Sequence, residues 1–255
     1  MKKQTCTLVI VLVASILLRE RFAAQQRDLH VVATFGMQGA MEKVLPEYKR
    51  ASGQNVIIEY EESAVIQQQV ASGKAFDLAI LVPQVIDELI KSGHIKAGTR
   101  TDIAKTSLGI GVRSGAPRHD IRTAEAVKET LLSARSITFA KVGSATPVIE
   151  KMIERLGIAG VINPRIIRAD QSGRPADAVG AGKIDLVIAP AGAIVPVPGV
   201  DFLGLLPAEF QSSVVLSSGI GTRSERPDRA RALVEFISGG EGAVILRANG
   251  MEPVR

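Results

Sequence analysis

The sequence predicts an α/β fold of two lobes, each a mainly parallel sheet flanked by helices, with two crossover strands joining them. Three observations lead there. Short apolar runs alternate with helical stretches that end in glycine along most of the chain, which is the rhythm of a parallel sheet covered on both faces. Two apolar, glycine-containing runs, 107–112 and 213–222, bracket a self-contained middle third. With 46% hydrophobic residues in 255, there is enough apolar surface for two packed cores. The expected division is a first lobe from both ends of the chain, 28–108 with 214–255, and a second lobe from 109–213.

Taken in order, residues 29–33 read as a buried strand rich in β-branched side chains, and 34–39 supply a hydroxyl and two glycines where a helix begins. The free N–H groups of that helix start then point outward beside Thr34. Gly53 suits its C-cap, and Pro46 suggests a kink or a boundary inside it. Residues 55–60 are the second strand, 65–72 a helix closed by Gly73, 76–82 the third strand, and 84–91 a helix ending at Gly93. In such sheets ligands gather outside the carboxyl ends of the strands, which places Thr34, Ser63 and Val82 along one edge.

In the middle third, 124–132 is helical and 136–140 a strand, followed by a turn in which Thr146 is expected to cap a helix that has Pro147 at its first position. That helix closes at Gly157. Residues 165–168 form a short strand, 175–179 a helix, and 184–189 a strand ending at Pro190. A proline-rich loop, 196–207, leads back toward the first lobe. There 226–237 carries apolar residues at helical spacing, and Gly239 opens a last helix capped by Asn249 and Gly250.

Composition excludes several functions. Of the net charge of +5, a surplus of three falls in residues 1–24, where Lys2, Lys3, Arg19 and Arg21 face only Glu20. The remaining cations are scattered, so no nucleic-acid partner is expected. With no Trp and only Tyr48 and Tyr60, a sugar-stacking or base-stacking groove is not expected either. Lys2 and Lys3 precede an apolar run, 6–18, too short to span a bilayer, so 1–24 reads as a signal peptide of an exported, periplasmic protein, with an uncleaved anchor as the alternative. Cys6, the only cysteine, lies in that segment, and His30, His94 and His119 lack the paired spacing of a zinc site. No metal and no cofactor is expected.

Four segments carry a family resemblance: VVATFGMQGAMEKVLPEY at 31–48, VASGKAFDLAILV at 70–82, VGAGKIDLVIAP at 179–190 and RALVEFISGGEGAVILRANGMEPV at 231–254. In these the chain resembles the type II periplasmic solute-binding proteins and is similar to their molybdate-binding branch, over nearly all of its length after residue 27. The resemblance implies a monomeric extracytoplasmic receptor that closes its lobes on a small anion, an oxyanion or a small organic acid, and passes it to an ABC permease. A hinge is expected at 107–112 and 214–220. The family's binding positions fall on Thr34, Phe35 and Gly36, on Ser63 and Val82, on the turn with Gly143, Ser144 and Thr146, and on Pro190. Molybdate-binding relatives place paired serines at the first two sites and a tyrosine late in the second lobe; here Phe35, Glu62 and Pro190 stand instead. A carboxylate in the cleft opposes an oxyanion, which leaves an organic acid open.

Arg113 and Arg168 are candidate cations for such a ligand, and Arg168 and Arg174 flank the loop that holds Ser172; if the ligand is a di- or tricarboxylate, one or two of these cations are expected to pair with it in bidentate fashion. Ser63 and Thr146 read equally well as plain helix caps. Asp77 and Asp185 sit in matching strand contexts and read as structural. An alternative reading keeps the scaffold and adds chemistry: an isomerase similar to aconitate isomerase, moving an allylic proton in a tricarboxylate. Glu62 or Lys141 would then be the base, with Arg113 and Arg168 as anchors.

Overall fold

In the computed structural model, which describes residues 28–170 and 174–254, alternation sets the facing of each central strand. The expected signal peptide lies outside the described residues. Strand β1 (Leu29–Thr34) sends Leu29, Val31 and Ala33 into one core and Val32 into another, and β3 (Leu78–Leu81) divides Leu78 and Ile80 from Ala79 and Leu81 in the same way. A strand that is apolar on both faces must be covered on both. Helix α1 (Gln38–Ser52) covers the first face, and α2 (Ser63–Ala71) and α3 (Pro83–Lys91) cover the second. β1 pairs in parallel with both β2 (Val56–Glu61) and β3. Helix α1 runs through Pro46 without a break; that residue is exposed, so the carbonyl it leaves unpaired can meet solvent.

The strand that follows, β4 (Thr101–Arg113), is longer than the sequence suggested and passes through both lobes. Its first part pairs with β9 (Ser213–Ile220), from Thr101↔Ser218 to Ser107↔Ser213, and with β10 (Met251–Pro253). Its second part, from Leu108 onward, pairs with β7 (Leu186–Pro190) and, from Gly109 onward, with β8 (Val200–Leu205). The change of partners falls between Ser107 and Leu108. There the Gln211 side chain closes the seam: Oε1 accepts from Leu108 N at 2.7 Å, and Nε2 donates to the carbonyls of Leu108 and Leu206 at 3.1 Å each. β9 itself stays within the first lobe, so the second crossing is made by the segment entering it.

The second lobe repeats the plan with α4 (Ala124–Ser133), β5 (Ile137–Ala140), α5 (Thr146–Arg155), α6 (Ala159–Ile162), β6 (Ile166–Ala169), α7 (Pro175–Gly180), β7 and α8 (Ala191–Ile194). β5 is parallel to β6 and β7. Leu186 and Ile188 enter one core, Val187 and Ala189 the other. The chain returns through α9 (Pro227–Ser238) and α10 (Gly240–Ala248), which pack on the α1 face of the first sheet.

Two elements were not expected. The proline-rich loop contains β8, which lies so close to β4 that a Cβ at Gly109 would fall 2.5 Å from the Gly204 carbonyl oxygen and one at Gly111 2.8 Å from the Val200 side chain. Proline and glycine in a stretch that pairs on one side only hide its strand character. β10, after Gly250, is too short for periodicity to reveal. The turn just after helix α8 also joins the lobes directly, since a Cβ on Gly39 of α1 would meet the ring of Pro196 at 2.0 Å.

Candidate functional site

β1, β3, β5 and β7 all point their carboxyl ends toward one cavity of about 380 Å³ between the lobes. Each strand end there opens a helical turn. Phe35 begins a short 3-10 turn after Thr34, Ser63 begins α2, Val82 precedes α3, Thr146 begins α5, Pro175 begins α7 and Pro190 precedes α8; all six line the cavity. Helix starts present N–H groups with no intrahelical partner and a partial positive charge. The apolar part of the wall comes from Val85, Val142, Ile149, Ile188, Val214 and Leu216.

Of the residues singled out from sequence, Thr34, Phe35, Gly36, Glu62, Ser63, Val82, Gly143, Ser144, Thr146 and Pro190 lie on this cavity. Neither Ser63 nor Thr146 caps its own helix, because each is the first helical residue rather than the one before it. Their hydroxyls brace strand ends instead: Thr146 Oγ1 donates to the Ala140 carbonyl at 2.9 Å, and Ser63 Oγ accepts from Val82 N at 3.4 Å. Thr34 is 8% exposed, and among the described residues its hydroxyl has no hydrogen-bond partner. The residue lines the cavity.

Three expected residues lie elsewhere. β4 runs antiparallel to β7, so its carboxyl end is at the far end of the lobe; Arg113 is seven residues past the cavity-lining Thr106, roughly 23 Å along the strand, next to Asp185. Arg168 lies over the Phe139 ring, 4.8 Å from its centroid, and pairs with Glu150 at 2.7 Å. Lys141 is exposed between Ala140 and Val142, both of which line the cavity while it turns away. Ser172 lies outside the described residues.

The cation that does reach the cavity is Arg174, which precedes α7. Its Nε donates to Asp177 Oδ2 at 2.9 Å, and among the described residues no other group bonds it. The sequence offered Arg174 with Arg168 as flanking cations for a di- or tricarboxylate without separating the two; the place of Arg174 at a helix start facing the carboxyl ends of the strands was the signal that does. Glu62 faces the same space. Burial first, and the Glu61 carboxylate second, push its pKa from 4.5 to about 7. Asp77, by contrast, is tied into the first lobe: it accepts from His30 N, from the Ser224 hydroxyl and from Arg226 Nη1 at 2.9, 2.7 and 3.2 Å. Asp185 takes Arg135 in the same structural manner.

Comparison with known proteins agrees with this architecture. The aconitate isomerase of a Pseudomonas species is 28% identical over 233 residues, covering 89% of this chain and 88% of that protein. Among solved structures, the periplasmic molybdate-binding protein of Azotobacter vinelandii superposes with a TM-score of 0.74 at 16% identity, covering 89% of this chain and all of the other. The sulfate-binding protein of Mycobacterium tuberculosis gives 0.67 at 18% identity, covering 89% and 87%. At these identities the superpositions speak for a shared two-lobed fold and not for a shared ligand. The model of one family, bacterial extracellular solute-binding protein, matches residues 29–252. The chain belongs to the bacterial extracellular solute-binding proteins.

Proposed function

We propose that this protein captures a small anion in the interlobe cavity and delivers it to an ABC permease. The observation that carries the reading is the convergence of helix starts from both lobes on one cavity that Arg174 also lines. Oriented N–H groups at helix starts bind anions without needing a full counter-charge. The working unit is two lobes, 28–108 with 214–255 and 109–213, moving about the seam at Ser107 and Leu108, where β4 changes partners. The family description and the periplasmic relatives support an extracytoplasmic site of action.

The isomerase reading has less behind it. Of the groups it would use, only Glu62 lines the cavity, and among the described residues no second carboxylate, histidine or lysine accompanies it there. An allylic shift needs a proton removed at one carbon and returned at another, with the carboxylates held throughout. The 28% identity to an aconitate isomerase does not by itself favour that chemistry.

The test is a melting experiment on the protein with a broad panel of inorganic and organic anions, using neutral sugars and amines as controls. A ligand at a hundredfold over its Kd stabilises by about 2.7 kcal/mol, a shift of several degrees. Stabilisation by one class of anion is expected. A flat response to every anion refutes the receptor reading.

A further inference from the structure

We infer that the cavity is built for an organic monocarboxylate with an apolar body, its carboxylate taken by Arg174 and the Thr34 hydroxyl and its chain laid along the aliphatic wall. The inference rests on the anion-receptor reading and narrows it.

The donor inventory is the first argument. A compact oxyanion buried here would need hydrogen bonds on all sides, since each oxygen left unpaired against an apolar wall keeps its desolvation cost. The helix starts around the cavity are poorer in donors than their number suggests. α3, α5 and α7 each carry proline in the first two positions, at Pro83, Pro147 and Pro175, and proline has no N–H to give. What is left comes from both walls: the turn after Thr34, the start of α2 and the unpartnered Thr34 hydroxyl on the first lobe, and the 143–146 turn and Arg174 on the second, with Arg174 the single full positive charge among them. That set suits one carboxylate, with the guanidinium binding it in bidentate fashion.

Charge is the second argument. Among the described residues that line the cavity, Arg174 is the one cation and Glu62 the one acid. Glu61 lies beside Glu62 in sequence and Arg174 lines the same cavity; burial and Glu61 push the Glu62 pKa up to about 7, so its carboxyl is largely protonated below neutral pH. Arg174, although paired with Asp177, is thus the one positive charge on the lining and can meet one carboxylate at most. A tricarboxylate would bring two more with no cation to meet them, and burying unpaired charge is strongly unfavourable.

The wall is the third argument. Val85, Val142, Ile149, Ile188, Val214 and Leu216 offer nothing to a polar ligand, yet they bound much of a space of about 380 Å³. Cavities of this size and character bury the apolar part of a small organic molecule and fix its orientation with a few polar groups.

The experiment is calorimetric titration of the protein, at one ionic strength, with acetate, butyrate and hexanoate, with trans-aconitate, and with sulfate and molybdate. Affinity is expected to rise roughly fourfold per added methylene along the monocarboxylates. The tricarboxylate and both inorganic anions are expected to bind at least about tenfold more weakly than hexanoate. Arg174→Gln should lose most of the monocarboxylate affinity, and Thr34→Val a smaller part, with both variants melting within a degree or two of the parent. Tightest binding by sulfate or molybdate, or by trans-aconitate, overturns the inference while leaving an anion receptor in place. Monocarboxylate binding without a chain-length gradient, or unchanged in Arg174→Gln, overturns it too. No binding by any of these anions, together with a flat melting panel, removes both readings.

Discussion

Replacing Glu62 by Gln should stabilise the unliganded protein, and only at the alkaline side of its range. Gln keeps the shape of the protonated side chain and cannot ionise. In the folded protein, burial in the cavity and the Glu61 carboxylate push the Glu62 pKa from 4.5 to about 7. Below 4.5 both folded and unfolded chains carry the proton, and the carboxyl makes no difference to stability. Between 4.5 and 7 the unfolded chain has released the proton while the folded one retains it, so each rise in pH favours unfolding. Above 7 the whole penalty is present. The displacement corresponds to about 3 kcal/mol if taken at face value, and to about 1–2 kcal/mol once the solvent reaching the open cavity is allowed for. Thermal melts followed by far-ultraviolet circular dichroism should place Glu62→Gln roughly 2–8 °C above the parent at about pH 8 and level with it near pH 4. A gap that stays constant across this range, or one that opens at acid pH, would refute the assignment of Glu62 to a desolvated position.

Two further substitutions examine the first lobe. Asp77→Ala strands Arg226, the His30 N–H and the Ser224 hydroxyl around an almost fully buried position; it should cost about 3–5 kcal/mol and lower the melting temperature by roughly 6–20 °C, measured by calorimetry. A loss under 1 kcal/mol would mean that the cluster is solvated. Tyr60→Phe removes a buried hydroxyl that has no hydrogen-bond partner among the described residues and that burial makes harder to ionise. It should be neutral or stabilising by about 1 kcal/mol in denaturant unfolding, and a clear destabilisation would reveal a partner for that hydroxyl.

Much of the fold was legible in the chain because the signals are local. The apolar runs ending at Thr34, Leu81, Ala140 and Pro190, and the glycines at 53, 73, 93 and 157 that take positive φ after helices, mark element ends by residue chemistry alone. β8 and β10 were missed because one is interrupted by glycine and follows prolines, and the other is three residues long. The cavity lining was legible where a strand end fixed it, as at Thr34, Ser63 and Pro190. It was not legible for the cations. Arg113 and Arg168 stand at strand ends in the sequence, but a strand end faces the cavity only if the strand runs in the right direction and the side chain falls on the right face.

By itself, then, the sequence determined the alternation of strand and helix, the small-residue turns and the apolar content of two cores, since each depends on residues close along the chain. Tertiary structure decided which lobe each half of β4 joins, which arginine reaches the cavity and how Glu62 is desolvated. Those depend on pairing register and strand direction between segments far apart in the chain, and on the burial that pairing creates: Leu108 lies opposite Pro190 in the sheet, and this antiparallel match takes Arg113 away from the site while the start of α7 brings Arg174 to it.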